Sequence, residues 1–130
     1  QNLMISFPYQ KNTLGEFFPI IEANVAYKEK AVKINTLIDS GATVSVFKTQ
    51  VAQFLKLPIE RGKEIFLGGV GGRIKGYIHN LELEIAYRKL IAPVVFSYEY
   101  TVSFNLLGRQ EIFNNFKITF DEKNYLVKLI

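Results

Sequence analysis

Residues 36–47, Thr-Leu-Ile-Asp-Ser-Gly-Ala-Thr-Val-Ser-Val-Phe, carry an apolar run onto a carboxylate, Asp39, and follow it with a hydroxyl and a glycine. A carboxylate at the end of a buried strand costs free energy unless it reaches solvent or a partner. Asp39 is therefore either a turn former bonded to its own backbone or an acid placed for proton transfer. Gly41 lets a backbone N–H come close to it, and small Ala42 leaves room. Two further stretches have the composition of a site. Gly68-Gly69-Val70-Gly71-Gly72 sets four glycines around one valine; glycine cannot pack a core, so the run gives mobility and close backbone approach. It lacks the Lys-(Ser/Thr) ending of a phosphate loop and does not match G-x-G-x-x-G, though by itself it also suits a plain flexible hairpin. Asn105-Leu106-Leu107-Gly108-Arg109 is an apolar strand that stops at glycine.

The remaining titratable residues carry less. His79 is the one histidine, too few for a triad or a zinc site, and reads as a surface or hairpin residue. Glu82 and Glu84 alternate with Leu81, Leu83 and Ile85, which makes them the solvated face of a strand rather than paired catalytic acids. Asp121 and Glu122 are turn formers. With no Cys, a disulfide framework, a thiolate metal site and a cysteine nucleophile are all excluded. That absence fits a reducing compartment but is shared by many exported proteins, so it assigns none.

The elements that must position these residues read as mostly β. At 130 residues the chain suits one domain, 1–130, and its 48% hydrophobic content argues for a packed core rather than disorder. Eleven Phe and seven Tyr, with many Ile and Val, favour strands. Strands are expected over 22–27 and 31–38 around the tip Lys28-Glu29-Lys30, and again over 44–47. A helix is expected from Thr49 to Leu57, closed by Pro58. Strands over 64–67 and 74–78 flank the glycine run, and a half-buried strand follows over 81–85. Residues 90–96 form a buried strand in which Pro93 suggests an edge or a bend. A short helix is expected after Gly108, through Asn114. Residues 116–120 and 125–129 make a closing hairpin. The net charge of +4 is dispersed, so no nucleic-acid partner is expected. No apolar run is long enough to span a bilayer, and none reads as a signal peptide. The chain starts at Gln1 rather than Met, which suggests a trimmed or processed domain.

Taken in order, the three glycine-bearing stretches resemble the retropepsin family, the single-domain aspartic proteases of retroviruses and their cellular relatives. Leu37-Ile38-Asp39-Ser40-Gly41-Ala42 matches the family's apolar-apolar-Asp-(Thr/Ser)-Gly-Ala turn. Leu67-Gly68-Gly69-Val70-Gly71-Gly72-Arg73-Ile74-Lys75 is similar to the retroviral flap, and Asn105 to Arg109 to the apolar-apolar-Gly-Arg segment before the C-terminal helix. The resemblance runs from about Ala31 to Phe120. It implies an all-β, half-barrel acid-protease fold with a flap hairpin and one or two short helices. It implies Asp39 as the catalytic acid, Ser40 as a brace across a dimer, and Gly41 as the residue that positions the carboxylate. Arg109 is implied to be structural, an ion-pair anchor near the turn. Val44, Val70, Ile74, Phe104 and Leu106 are the candidate pocket walls for an extended peptide.

Asp-Ser-Gly occurs once, whereas aspartic proteolysis uses two carboxylates. The resemblance therefore implies a symmetric homodimer in which Asp39 faces its twin, and no metal or organic cofactor. Two readings compete with a peptidase: a silent module of the same fold used for dimerisation or for gripping extended peptides, and an unrelated β-rich ligand-binding domain. The chain also departs from the viral pattern. Thr43 and Val44 stand where viral enzymes usually carry acids, which removes a carboxylate partner for Arg109. The hairpin from Asp121 to Ile130 extends past the viral C-terminus and resembles cellular or microbial members, and residues 2–9 are the least matched part.

Overall fold

The computed structural model describes residues 3–69 and 71–130. Near the N-terminus, β1 (Ile5–Pro8) precedes a small ribbon of β2 (Gln10–Lys11) and β3 (Phe17–Phe18). β4 (Ile20–Tyr27) and β5 (Lys30–Ile38) form an antiparallel hairpin. Along β4, Ile21, Ala23 and Val25 are buried while Glu22 and Asn24 are exposed, the period-2 pattern of a sheet with one wet face. Tyr27 pairs with Lys30, so the tip is the two residues Lys28-Glu29, tighter than the sequence suggested. Lys28 takes a left-handed backbone, φ 53°, as such a tight turn requires.

β6 (Ser45–Val46) leads into α1 (Thr49–Leu55). The helix ends two residues earlier than expected because Lys56 adopts φ 55°, ψ 39° and its N–H turns back onto the helix carbonyls, a left-handed C-terminal cap. A 3-10 turn, Ile59–Arg61, then leads to β7 (Lys63–Gly69), β8 (Gly72–Ile85) and β9 (Arg88–Phe96). The two strands expected over 74–78 and 81–85 are one continuous β8. Leu81, Leu83 and Ile85 are buried along it, with Glu82 exposed and Glu84 half-buried.

β10 (Asn105–Leu107), β11 (Ile118–Asp121) and β12 (Leu126–Leu129) complete the chain. The large sheet runs β4-β5-β10-β6-β9-β8-β7, and β4 pairs again with β8 at Asn24↔Glu84. Six strands thus close on themselves and β7 hangs outside the ring. β9 lies between β6 and β8, so the edge position suggested by Pro93 is not what forms. The proline is tolerated because β6 covers only Val94 and Val95, leaving no ladder on that side at Pro93. The expected helix after Gly108 is a 3-10 turn, Phe113–Asn115. Glu111 at φ 62° lies in a region that a right-handed helix cannot use.

The closing hairpin forms, β11 against β12, with its first strand starting two residues later than expected, and β1 joins it as a third strand, Ile5↔Leu129 to Pro8↔Leu126. The main core fills the ring with Phe47, Phe96, Leu55, Leu83, Ile85 and Leu107. A smaller apolar cluster of Val44, Val46 and Val95 lies apart from it, with Ile65, Leu67, Ile78 and Tyr100 packed against it. Among the described residues no helix is long and apolar enough to cross a membrane.

Candidate active site

Two strands running side by side set the position of Asp39. β5 and β10 are parallel, Leu37 beside Leu106 and Ile38 beside Leu107, and both end at the same level. Beyond the ladder the two loops clasp each other. Asp39 N–H donates to the Leu107 carbonyl at 3.0 Å, Arg109 N–H to Ala42 at 2.8 Å, and Gln110 N–H to Thr43 at 2.8 Å. Gly108 N–H donates to the hydroxyl of Ser45 at 3.0 Å, one of the few fully buried polar side chains. A Cβ on Gly108 would overlap the Val44 backbone, so glycine is what allows the clasp.

Within its own loop Asp39 accepts from Gly41 N–H, Oδ1 at 2.9 Å, and its carbonyl accepts from Ala42 N–H at 3.2 Å. A Cβ on Gly41 would stand 3.3 Å from that same Oδ1, so the bare backbone gives the carboxylate its close N–H. The half-buried carboxylate opens onto a cleft of about 830 Å³. Val44 and Val46, from the small apolar cluster, are part of its lining.

The glycine run lies along the opposite wall. β7 and β8 pair through Gly69↔Gly72, and Gly68, Gly69, Gly71 and Gly72 all line the cleft. No atom lies within 4 Å of where a Cβ would stand at any of the four, and Gly72 has φ +106°. Packing thus calls for none of these glycines, and backbone conformation only for Gly72. Their effect is to present bare backbone to whatever enters. β9 first pairs with β8 at Tyr77, so from Gly72 to Gly76 the hairpin is a two-stranded arm.

Of the sequence-derived pocket residues, Val44, Ile74 and Leu106 line the cleft together with Gly41, Ala42 and Asp39. Val70 lies outside the described residues. Phe104 does not line it: its ring packs on Phe18, centroids 5.2 Å apart, and its carbonyl accepts from the Tyr100 hydroxyl at 2.7 Å. Ser40 is exposed at the turn. Arg109 anchors through its main chain while its guanidinium is exposed. Among the described residues the ion pairs are Lys33–Glu22 and Lys75–Glu64, so the expected ion pair of Arg109 is absent there.

A third wall was missed in the sequence, the loop Glu99-Tyr100-Thr101-Val102 after β9, together with Phe66 on the hairpin. Ser97 ties this loop to the arm by donating to the Lys75 carbonyl, and Lys75 N–H donates to Glu99 at 3.4 Å. Burial first, and then the negative charge of Asp39, push the Tyr100 phenol up to about 12. The sequence signal for this wall was Tyr98, Tyr100, Val102 and Phe104 alternating with Ser97, Glu99, Thr101 and Ser103.

His79 sits elsewhere, its Nε2 2.8 Å from the Ile59 carbonyl, holding the 3-10 turn to β8. Among the described residues no three His, Cys, Asp or Glu side chains gather as a metal site.

No family model matches the sequence, and no curated protein matches it. Many solved structures are similar, among them two proteases. EIAV protease complexed with the inhibitor HBY-793 is 21% identical with a TM-score of 0.60, the match covering 82% of this chain and 93% of that one. A retropepsin-like aspartic protease from Rickettsia conorii is 20% identical with a TM-score of 0.66, the match covering 98% of this chain and 90% of that one. At such identity the likeness is one of fold, and it is of the kind that the three stretches implied.

Proposed function

We propose that this chain, whose all-β fold is retropepsin-like, is a single domain over 1–130 and one half of a homodimeric aspartic endopeptidase. The observation that carries the reading is Asp39 at the head of a cleft, held by the Gly41 N–H and faced by a glycine-edged arm. One chain brings one such acid, so a second copy supplies its twin across a two-fold axis. Two carboxylates meeting there do not both ionise readily, an effect known from aspartic proteases in general, and the pair shares a proton. The ionised member draws a proton from a water held between them, and that water attacks the scissile carbonyl. The protonated member hydrogen-bonds the carbonyl oxygen, and the proton taken from the water passes to the leaving amine as the C–N bond breaks.

The arm is the flap in this reading. It closes over a peptide in extended form, main chain to main chain, with Val44, Ile74 and Leu106 as apolar pocket walls. Ser40, exposed in the single chain, braces the twin turn. No cofactor takes part.

The test is cleavage of a mixed peptide library from acidic to neutral pH, wild type beside Asp39→Asn, over a range of protein concentrations. Wild type alone should cut, next to apolar side chains, with activity rising faster than linearly with concentration. A demonstrably dimeric wild type that cuts nothing would instead establish the silent peptide-gripping module. Equal cleavage by both proteins would remove Asp39 from the chemistry.

A further inference from the structure

A second cavity, of about 440 Å³, lies between the β4–β5 tip and the turn that follows α1, and shares no lining residue with the Asp39 cleft. Lys28 and Lys30 from the hairpin meet Lys56 and Arg61 from the turn around its mouth. Tyr27, Leu55, Leu57 and Pro58 complete the lining, and no carboxylate is part of it. None of the four cations is in an ion pair among the described residues. Two are held over aromatic faces instead, Lys28 Nζ 5.5 Å from the Tyr27 ring centroid and Lys30 Nζ 5.8 Å from that of Phe54. Such contacts fix an ammonium without neutralising it.

The charge of the whole chain points the same way. It has 16 Lys and Arg against 12 Asp and Glu. Four of the sixteen cations line this one cavity. Two of the six left-handed non-glycine residues among the described residues also lie here. Lys28 at φ 53° and Lys56 at φ 55° occupy left-handed positions that favour Gly or Asn. Lysine at both, beside two further cations, gathers positive charge that a bound anion would offset, with Glu29 and Glu60 the adjacent carboxylates in sequence.

We infer that this cavity binds a multiply charged phosphate group. A carboxylate brings one negative charge, whereas a polyphosphate or a multiply phosphorylated headgroup brings several within a few ångströms. The Arg61 fork suits phosphate oxygens, and the three ammoniums act as point charges around them. The partly apolar floor leaves room for the group that bears the phosphates, in a cavity of ligand size. The source is a soluble phosphate compound or a phosphorylated lipid headgroup, which share this chemistry.

The experiment is an amide-resonance NMR titration of the full chain with sodium tripolyphosphate at constant ionic strength. Alongside it, sedimentation is measured with phosphatidylcholine vesicles, plain or doped with phosphatidylinositol bisphosphate. The variants are Lys28→Gln/Lys30→Gln, Lys56→Gln/Arg61→Gln and, as a control of equal charge, Lys89→Gln/Lys123→Gln. The expected result is resonance shifts confined to 27–30 and 55–61. Each cavity pair should weaken binding about tenfold or more, and the control pair should not. Tripolyphosphate binding alone assigns a soluble source; binding to doped vesicles that the cavity variants lose assigns a headgroup. Shifts spread over all lysines, an equal loss in the control, equal affinity for hexaglutamate, or no binding in either arm would overturn the inference. The substituted side chains are exposed, so unfolding temperatures should match wild type, and either cavity pair suffices if the other folds poorly.

Discussion

Asp39 and Tyr100 are linked by charge although they come from loops 61 positions apart in sequence. Burial is the larger cause of the raised phenol and the carboxylate the smaller. Asp39→Asn should therefore bring the Tyr100 titration down from about 12 while leaving it above the usual 10. A spectroscopic titration of the phenolate, with Tyr100→Phe to assign the signal, reads this directly; an unmoved curve would separate the two residues. Gly108 gives a second test at this scale. Its missing Cβ accommodates the Val44 backbone, so Gly108→Ala should destabilise the fold by roughly 1–3 kcal/mol in urea denaturation, the usual cost of overpacking.

Among the elements, the β7–β8 arm shows why glycines that look alike in sequence differ in effect. Gly68 has open space around it and no positive φ, so Gly68→Ala should leave the fold intact and stabilise it by about 0.4–1 kcal/mol through the unfolded chain. Under the proposed function the same change should slow cleavage, because a methyl group would stand between the arm and a peptide. Stability and turnover moving in opposite directions is the signature to look for. Arg73 stacks across the arm on Phe66, 4.5 Å from its ring centroid, stiffening a ribbon that has no third strand at that level. The loop at Glu99 is tied to the arm's base at Lys75, so motion of the arm is coupled to that wall of the cleft.

Across the whole molecule, the β1–β12–β11 sheet joins the chain's two ends. Tyr9, just after β1, donates its hydroxyl to Glu122 at 3.1 Å, and its N–H to the Tyr125 carbonyl at 2.8 Å. Burial, then the Glu122 bond and charge, push the Tyr9 phenol up to about 12. A folded value above the unfolded one means that the neutral phenol favours the native state. That contribution is complete below pH 10 and is lost as pH rises through about 12. Tyr100 adds to it in the same direction. Urea midpoints should accordingly fall across that alkaline window, and Tyr9→Phe should flatten part of the fall; a fall of the same size in Tyr9→Phe would assign it elsewhere.

The sequence by itself determined what local pattern can carry. Alternation placed Leu81, Leu83 and Ile85 inward, the 28–30 turn joined β4 to β5, and the Asp-Ser-Gly, glycine-run and Gly-Arg stretches marked two walls of the cleft. It overextended α1 and expected a helix at 110–114, because left-handed backbone at Lys56 and Glu111 has no signature in residue type. The resemblance placed Phe104 in the cleft, because nothing local to Phe104, just before β10, says that Phe18 of β3 packs against its ring. Tertiary structure alone decided the third wall at 99–102 and the gathering of four cations at one cavity. Both arise where separate loops converge, and alternation within one loop does not say which distant loop it will meet.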